Sequence, residues 1–161
     1  MKSPVFEISV TGSSHSLVLP EKIIRPFLDE NLKRVRAIAS FNTKEITFYG
    51  AIQKRGDHHY MMFGKRYQKE LGIFPNDYFK LQFFEDTSKY GVAMPEELEA
   101  VLLSDFDAYE IFESLTAGKK RGLIYAITRY KNTQTRIDKS LLMCENLKKG
   151  IREKRILLKS F

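Results

Sequence analysis

The chain of 161 residues carries one cysteine, no tryptophan, three histidines and five prolines. Each scarcity closes off a class of chemistry. A lone Cys144 excludes an internal disulfide and a cysteine-based zinc site, and suits a reducing compartment. His58 and His59 are adjacent on a strand and point to opposite faces, so with His15 alone in reserve they do not compose a metal site, and none is expected. We read them as solvent-facing imidazoles at the edge of a hairpin. The stretch Thr11-Gly12-Ser13-Ser14-His15 is short and serine-rich and lacks the lysine and following helix of a phosphate loop. No Ser-His-Asp order stands out. No run approaches the ~18 apolar residues of a membrane helix, and the first ten residues do not resemble a signal peptide. The expectation is therefore a soluble, cytoplasmic, non-enzymatic protein without a cofactor.

What is present is ordinary globular material with an uneven charge. Apolar residues make up 43% and charged residues 29%, enough for one domain or two small ones with real cores. The formal net charge is +7, and it is segregated. Between Ala93 and Ala117 there are seven acids and no base, whereas Gly118 to Phe161 holds thirteen bases against three acids. Clustered bases invite a nucleic-acid reading through counterion release. The competing reading is a basic helix packed beside an acidic one, with the surplus solvated.

The first ~92 residues read as β structure with two short helices. Val5–Val10 alternates polarity as a half-buried strand does, closed by Gly12, and Leu17-Val18-Leu19 is a second strand. Pro20 and Glu21 suit a helix start. Strands follow at Arg34–Phe41, at Glu45–Gln53 with a bulge or corner at Gly50, and at His59–Phe63. Lys65–Leu71 reads as a helix stopped by Gly72, and Tyr78–Phe84 as the next strand. A repeat appears at an offset of 44 residues: Leu17-Val18-Leu19 matches Met61-Met62-Phe63, Ile23 matches Tyr67, Phe27 matches Leu71 and Val35 matches Phe79. Two strand–helix–strand copies can bury their apolar faces on each other about a pseudo-twofold and close a small barrel.

Beyond Gly91 the pattern turns helical. Pro95 opens one helix, and Ser104 with Asp107 has capping-box spacing for a second that ends at Gly118. A third covers Lys120–Tyr130. The last begins near Asn132 or Thr133 and shows Ile137, Leu141, Cys144 and Ile151 at helical spacing, followed by the tail RILLKSF. On that stripe Cys144 reads as a small core residue rather than a nucleophile. The division is thus 1–92 barrel and 93–161 helical tail, an α+β fold.

Candidate binding residues for an anion or nucleic acid are Lys120, Arg121, Arg129, Lys131, Thr135 and Arg136. Basic and aromatic side chains interleave at Arg129-Tyr130-Lys131, and again at Lys65-Arg66-Tyr67, a pattern that can pair phosphates while stacking bases. Arg136, in the first turn of the last helix, has two readings. It bridges structurally to Asp105, Asp107 or Glu110 on the acidic helix, or it forms an anion site with Lys131 and the helix N-terminus. The expected partner is a protein or an anionic ligand, with nucleic acid the alternative; no insertion into a membrane is expected.

Met94-Pro95-Glu96-Glu97-Leu98, Phe112-Glu113-Ser114-Leu115, Lys120-Arg121 and Thr135-Arg136 resemble the YdeI/OmpD-associated family, also described as bacteriocin-protection-like proteins. Phe63–Leu71 with Gly72-Ile73-Phe74-Pro75-Asn76-Asp77 is similar to the small β-barrel domain of unknown function that often precedes that tail. The resemblance implies a double-split barrel and a role tied to envelope stress and peptide resistance rather than a named reaction. The chain departs from the family pattern at Ala126, where a Trp is common, at Thr133-Gln134, where acids are, at Asp138-Lys139, where paired bases are, and at Asn76-Asp77, where Gly-Asp is.

Overall fold

The computed structural model describes residues 1–11 and 15–159. The strand end read at Gly12, the serines after it and the last two residues of the tail lie outside them. The fold is mixed α and β, with seven helices and two antiparallel sheets among the described residues, in two compact units, Met1–Thr87 and Ser88–Phe161.

In the first unit β1 (Phe6–Ser9), β3 (Arg34–Phe41), β4 (Lys44–Ala51) and β7 (Tyr78–Glu85) form one sheet in the order β1-β7-β3-β4. The second sheet takes β2 (Ser16–Leu19), β5 (Gln53–Arg55) and β6 (His58–Met62) in the order β2-β6-β5. Hydrogen bonds group these strands as two sheets, not as one continuous ring. Helices α1 (Glu21–Asp29) and α2 (Lys65–Leu71) occupy equivalent places, each between a strand of the small sheet and a strand of the large one.

The strand register carries the internal repeat. Leu17 faces Met61 across β2 and β6, and Ile38 faces Gln82 across β3 and β7, each the residue 44 positions on. A pseudo-twofold therefore passes through both pairings. Phe6 opposite Leu81 answers to Phe48 opposite Ala37, and the Thr11–Ser16 bridge answers to Gln53 opposite Tyr60. In these first strands the offset is 42, because the second copy's hairpin is two residues longer. Alternate residues Val35, Ala37 and Ala39 of β3 and Phe79, Leu81 and Phe83 of β7 point inward and are almost wholly buried. Phe63 stacks on Phe79 at 5.1 Å between centroids and lies 5.3 Å from Phe48.

The strand expected over Glu45–Gln53 is interrupted. Ile52 is buried and its N–H donates to Lys33 O, so the chain leaves the large sheet there and joins the small one as β5. Gly50 permits the passage, since a Cβ on it would stand 2.7 Å from Met61 Sδ. The two imidazoles do not share the solvent-facing setting expected of them. His58 is exposed, but His59 is 9% exposed and its Nδ1 meets Glu21 Oε1 at 2.6 Å, because consecutive strand residues face opposite ways.

The second unit holds α3 (Glu96–Ser104), α4 (Phe106–Ser114), α5 (Ala117–Thr128), α6 (Thr133–Lys148) and α7 (Lys154–Leu157), with α6 packed on the other four. Three expectations are corrected here. Asp105, not Ser104, caps α4, accepting from Ala108 N, while the Ser104 hydroxyl donates back to Val101 O within α3. Gly118 does not end α4; Leu115 does, and Thr116 caps α5 by accepting from Lys119 N, which places Gly118 inside that helix. The buried stripe of α6 is Ser140, Met143, Cys144, Asn146 and Leu147, whereas Leu141 is 51% exposed. Counting apolar residues missed this phase because the Ser140 hydroxyl is satisfied by Arg136 O.

Candidate functional site

The corner from α5 to α6 is built by local hydrogen bonds. Asn132 caps α6 through its side chain, accepting from Thr135 N at 3.1 Å, and Tyr130 N donates to Ile127 O at the frayed end of α5. Arg136 then reaches back across the corner. Its Nε donates to Tyr130 O at 2.6 Å, one terminal nitrogen donates to Thr128 O at 2.9 Å, and the other lies 3.5 Å from Glu97 Oε2. Glu97 on α3 is 8% exposed, so this is a largely desolvated pair.

Arg136 is thus turned inward, and its carboxylate partner is Glu97 rather than Asp105, Asp107 or Glu110. The physical reason is proximity to two carbonyls at the negative end of α5, which offset a cation placed unfavourably at the start of α6. Asp105 is engaged elsewhere, with Lys148 Nζ at 2.7 Å. That hydrogen bond holds the Asp105 carboxyl below its ordinary range and Lys148 above its own.

The surface on the side of Tyr130 is cationic. A cleft of about 600 Å³ is lined by Tyr130, Lys139, Lys154, Arg155, Leu158 and Lys159. Lys139 Nζ stands 5.8 Å from the Tyr130 ring centroid and donates to Leu158 O. The far wall is the segment of α7, anchored by the wholly buried Asn146, whose Nδ2 lies within hydrogen-bonding reach of Ile156 O, Leu157 O and Lys159 O. Arg129 and Lys131 flank Tyr130 in sequence and are exposed. Among the described residues no carboxylate pairs with Arg129, Lys131, Lys139, Lys154 or Lys159, and Arg155 meets only the exposed Glu153 at 3.6 Å.

A second, smaller cleft of about 220 Å³ lies at the other end of α5, lined by Lys89, Tyr90, Gly91, Ala117, Lys120 and Arg121. Its cations are less free. Glu113 meets Lys89 at 3.3 Å and Lys120 at 4.0 Å, and Lys120 also donates to Glu113 O. The Tyr90 hydroxyl donates to Glu113, and Lys89 donates to the Tyr109 hydroxyl. Burial and that carboxylate push the Tyr90 phenol up. Partial burial works against Glu113 ionising, yet the Tyr90 and Lys89 hydrogen bonds hold its pKa below the ordinary value.

The residues singled out from sequence are therefore divided. Lys120 and Arg121 belong to the small cleft near the start of α5, and Arg129 and Lys131 stand beside Tyr130 just past its other end. Thr135 contributes its backbone N–H to the Asn132 cap, and Arg136 braces the corner from within. Sequence reasoning missed Lys139, Lys154, Arg155 and Lys159, although the basic excess beyond Lys148 was a signal. Cys144 is 2% exposed, and burial first, then Asp105, pushes its thiol up to about 11, so it is not a ready nucleophile. Among the described residues, no group of three His, Cys, Asp or Glu side chains could hold a metal, and no helix is long and apolar enough to cross a membrane.

No curated protein matches the chain significantly. Among solved structures, the solution structure of PHS018 from Pyrococcus horikoshii aligns with a TM-score of 0.42 and 17% identity, over 56% of this chain and 92% of that one. Residues 92–150, which contain Met94–Leu98, Phe112–Leu115 and Thr135-Arg136, match the family model described as Bacteriocin-protection, YdeI or OmpD-Associated.

Proposed function

We propose that this chain is a non-enzymatic, cytoplasmic binding module whose helical unit presents a cationic cleft to an anionic partner. The observation that carries this reading is the cleft at Tyr130, walled by Lys139, Lys154, Arg155 and Lys159, whose charges are almost unmatched by carboxylates. Unpaired cations around a concave surface hold a local positive potential that attracts and retains anions. The match of residues 92–150 supports a role related to bacteriocin protection or envelope stress, by family analogy. For the first unit we infer a double-split barrel, supported by the paired registers that centre on Leu17 with Met61 and on Ile38 with Gln82.

The test is fluorescence anisotropy with labelled inorganic polyphosphate. Binding at micromolar protein in low salt, weakened as salt rises, is expected. The triple variant K154A/R155A/K159A should bind far more weakly. No binding by the wild type, or equal binding by the triple variant, overturns the proposal.

A further inference from the structure

Resting on that reading, we propose that the cleft takes single-stranded nucleic acid, with an unpaired base stacked on Tyr130 and phosphates held by the surrounding cations. The placement of Tyr130 favours this partner. Its ring lines the cleft, exposed lysine and arginine flank it in sequence, and Lys154, Arg155 and Lys159 line the same cleft. Arg136 clamps the Tyr130 carbonyl and Asn146 clamps the α7 segment, so both walls are braced from inside before any ligand arrives. An aromatic face bracketed by cations is what a splayed base and its two neighbouring phosphates need.

Other polyanions fit less well. A duplex must first unpair and unstack a base before it can enter a concavity, which a single strand need not do. An acidic peptide brings carboxylates, which the negative face of the ring repels. A membrane surface calls for several apolar side chains beside the cations, but of this unit's exposed Leu103, Phe106 and Leu141 the first two lie next to Asp105 and Asp107, which leaves Leu141 alone near Lys139 in sequence.

The experiment compares a labelled 20-mer of uridine, its duplex with adenosine, polyphosphate, and anionic vesicles of phosphatidylglycerol, with wild type, Tyr130→Phe and Tyr130→Leu. The single strand should bind most tightly. Tyr130→Phe should keep that affinity, while Tyr130→Leu should lose roughly 5- to 150-fold on the single strand and almost nothing on polyphosphate. The triple variant K154A/R155A/K159A should lower the salt slope by roughly 2 on a single strand. In the wild type, the Tyr130 ring protons should shift on titration with the 20-mer, a readout that survives if Tyr130→Leu folds poorly. Equal binding of single strand and polyphosphate with no effect of Tyr130→Leu overturns the stacking proposal and leaves the anionic cleft standing. Tighter binding of duplex or vesicles overturns it in favour of those partners. Failure of every polyanion overturns both.

Discussion

Replacing Arg136 by alanine removes three contacts at once. Two charge-assisted hydrogen bonds, to Tyr130 O and Thr128 O, are lost, and Glu97 is left buried without its cation. Carbonyls at the α5 corner can recover water in part, but a carboxylate 8% exposed cannot, and stranding one partner of a buried pair costs about 3 kcal/mol or more. For a unit of this size that corresponds to a fall in melting temperature of roughly 12–24 °C. Differential scanning calorimetry checks it. Arg136→Lys should recover only a fraction, because an ammonium cannot serve two carbonyls and a carboxylate that the fork reaches separately. Combining Glu97→Gln with Arg136→Ala should be milder than the sum of the two, since the stranded charge is gone. A melting temperature for Arg136→Ala within ~2 °C of wild type would refute the reasoning.

Gly50→Ala drives a methyl against the fully buried Met61 and should destabilise the first unit by about 1–3 kcal/mol in urea titrations. Asp105→Asn keeps a competent helix cap but loses Lys148. Because the folded Asp105 titrates below its ordinary 3.8, its contribution is present above that pH and lost as pH falls through the lower folded value. The melting temperature of Asp105→Asn should therefore trail wild type at neutral pH and converge with it in strong acid. Asn146→Ala should free the α7 segment, seen as faster tryptic cleavage after Lys154 and Arg155 in the native protein. Native Cys144 should react with a thiol reagent far more slowly than after unfolding.

Local patterns were legible wherever the side chains themselves carry the signal. The β-branched and aromatic alternation of β3 and β7, the positive-φ stop at Gly72 and the Asn132 cap could all be read from the residues. The repeat was legible because apolar residues at equivalent positions meet across the pseudo-twofold. What was hidden depended on partners distant in sequence. His59 finds Glu21 only once β6 lies beside β2, and Arg136 chooses Glu97 and two carbonyls because of how α3, α5 and α6 pack. The α6 stripe was misphased since buried Ser140 and Asn146 look polar in sequence but are satisfied in place. Four of the six residues that line the candidate cleft escaped because they come from a four-residue helix and its flanks, too short for any periodic signal.

The registers centred on Leu17 with Met61 and Ile38 with Gln82 mean that the two copies of the first unit are interwoven rather than adjacent. In the large sheet the outer strand of each copy, β1 or β4, pairs with a strand of the other copy, β7 or β3, so half of this unit on its own would leave that strand without its partner. The central pairings β2–β6 and β3–β7 join residues 40 to 50 apart in sequence, and β1–β7 joins residues 69 to 75 apart, which puts this unit among slow folders. It also makes the ancestry of the fold an experiment: one copy expressed alone, with Met61 and Gln82 in effect supplied by its own second molecule, could rebuild both central pairings as a homodimer.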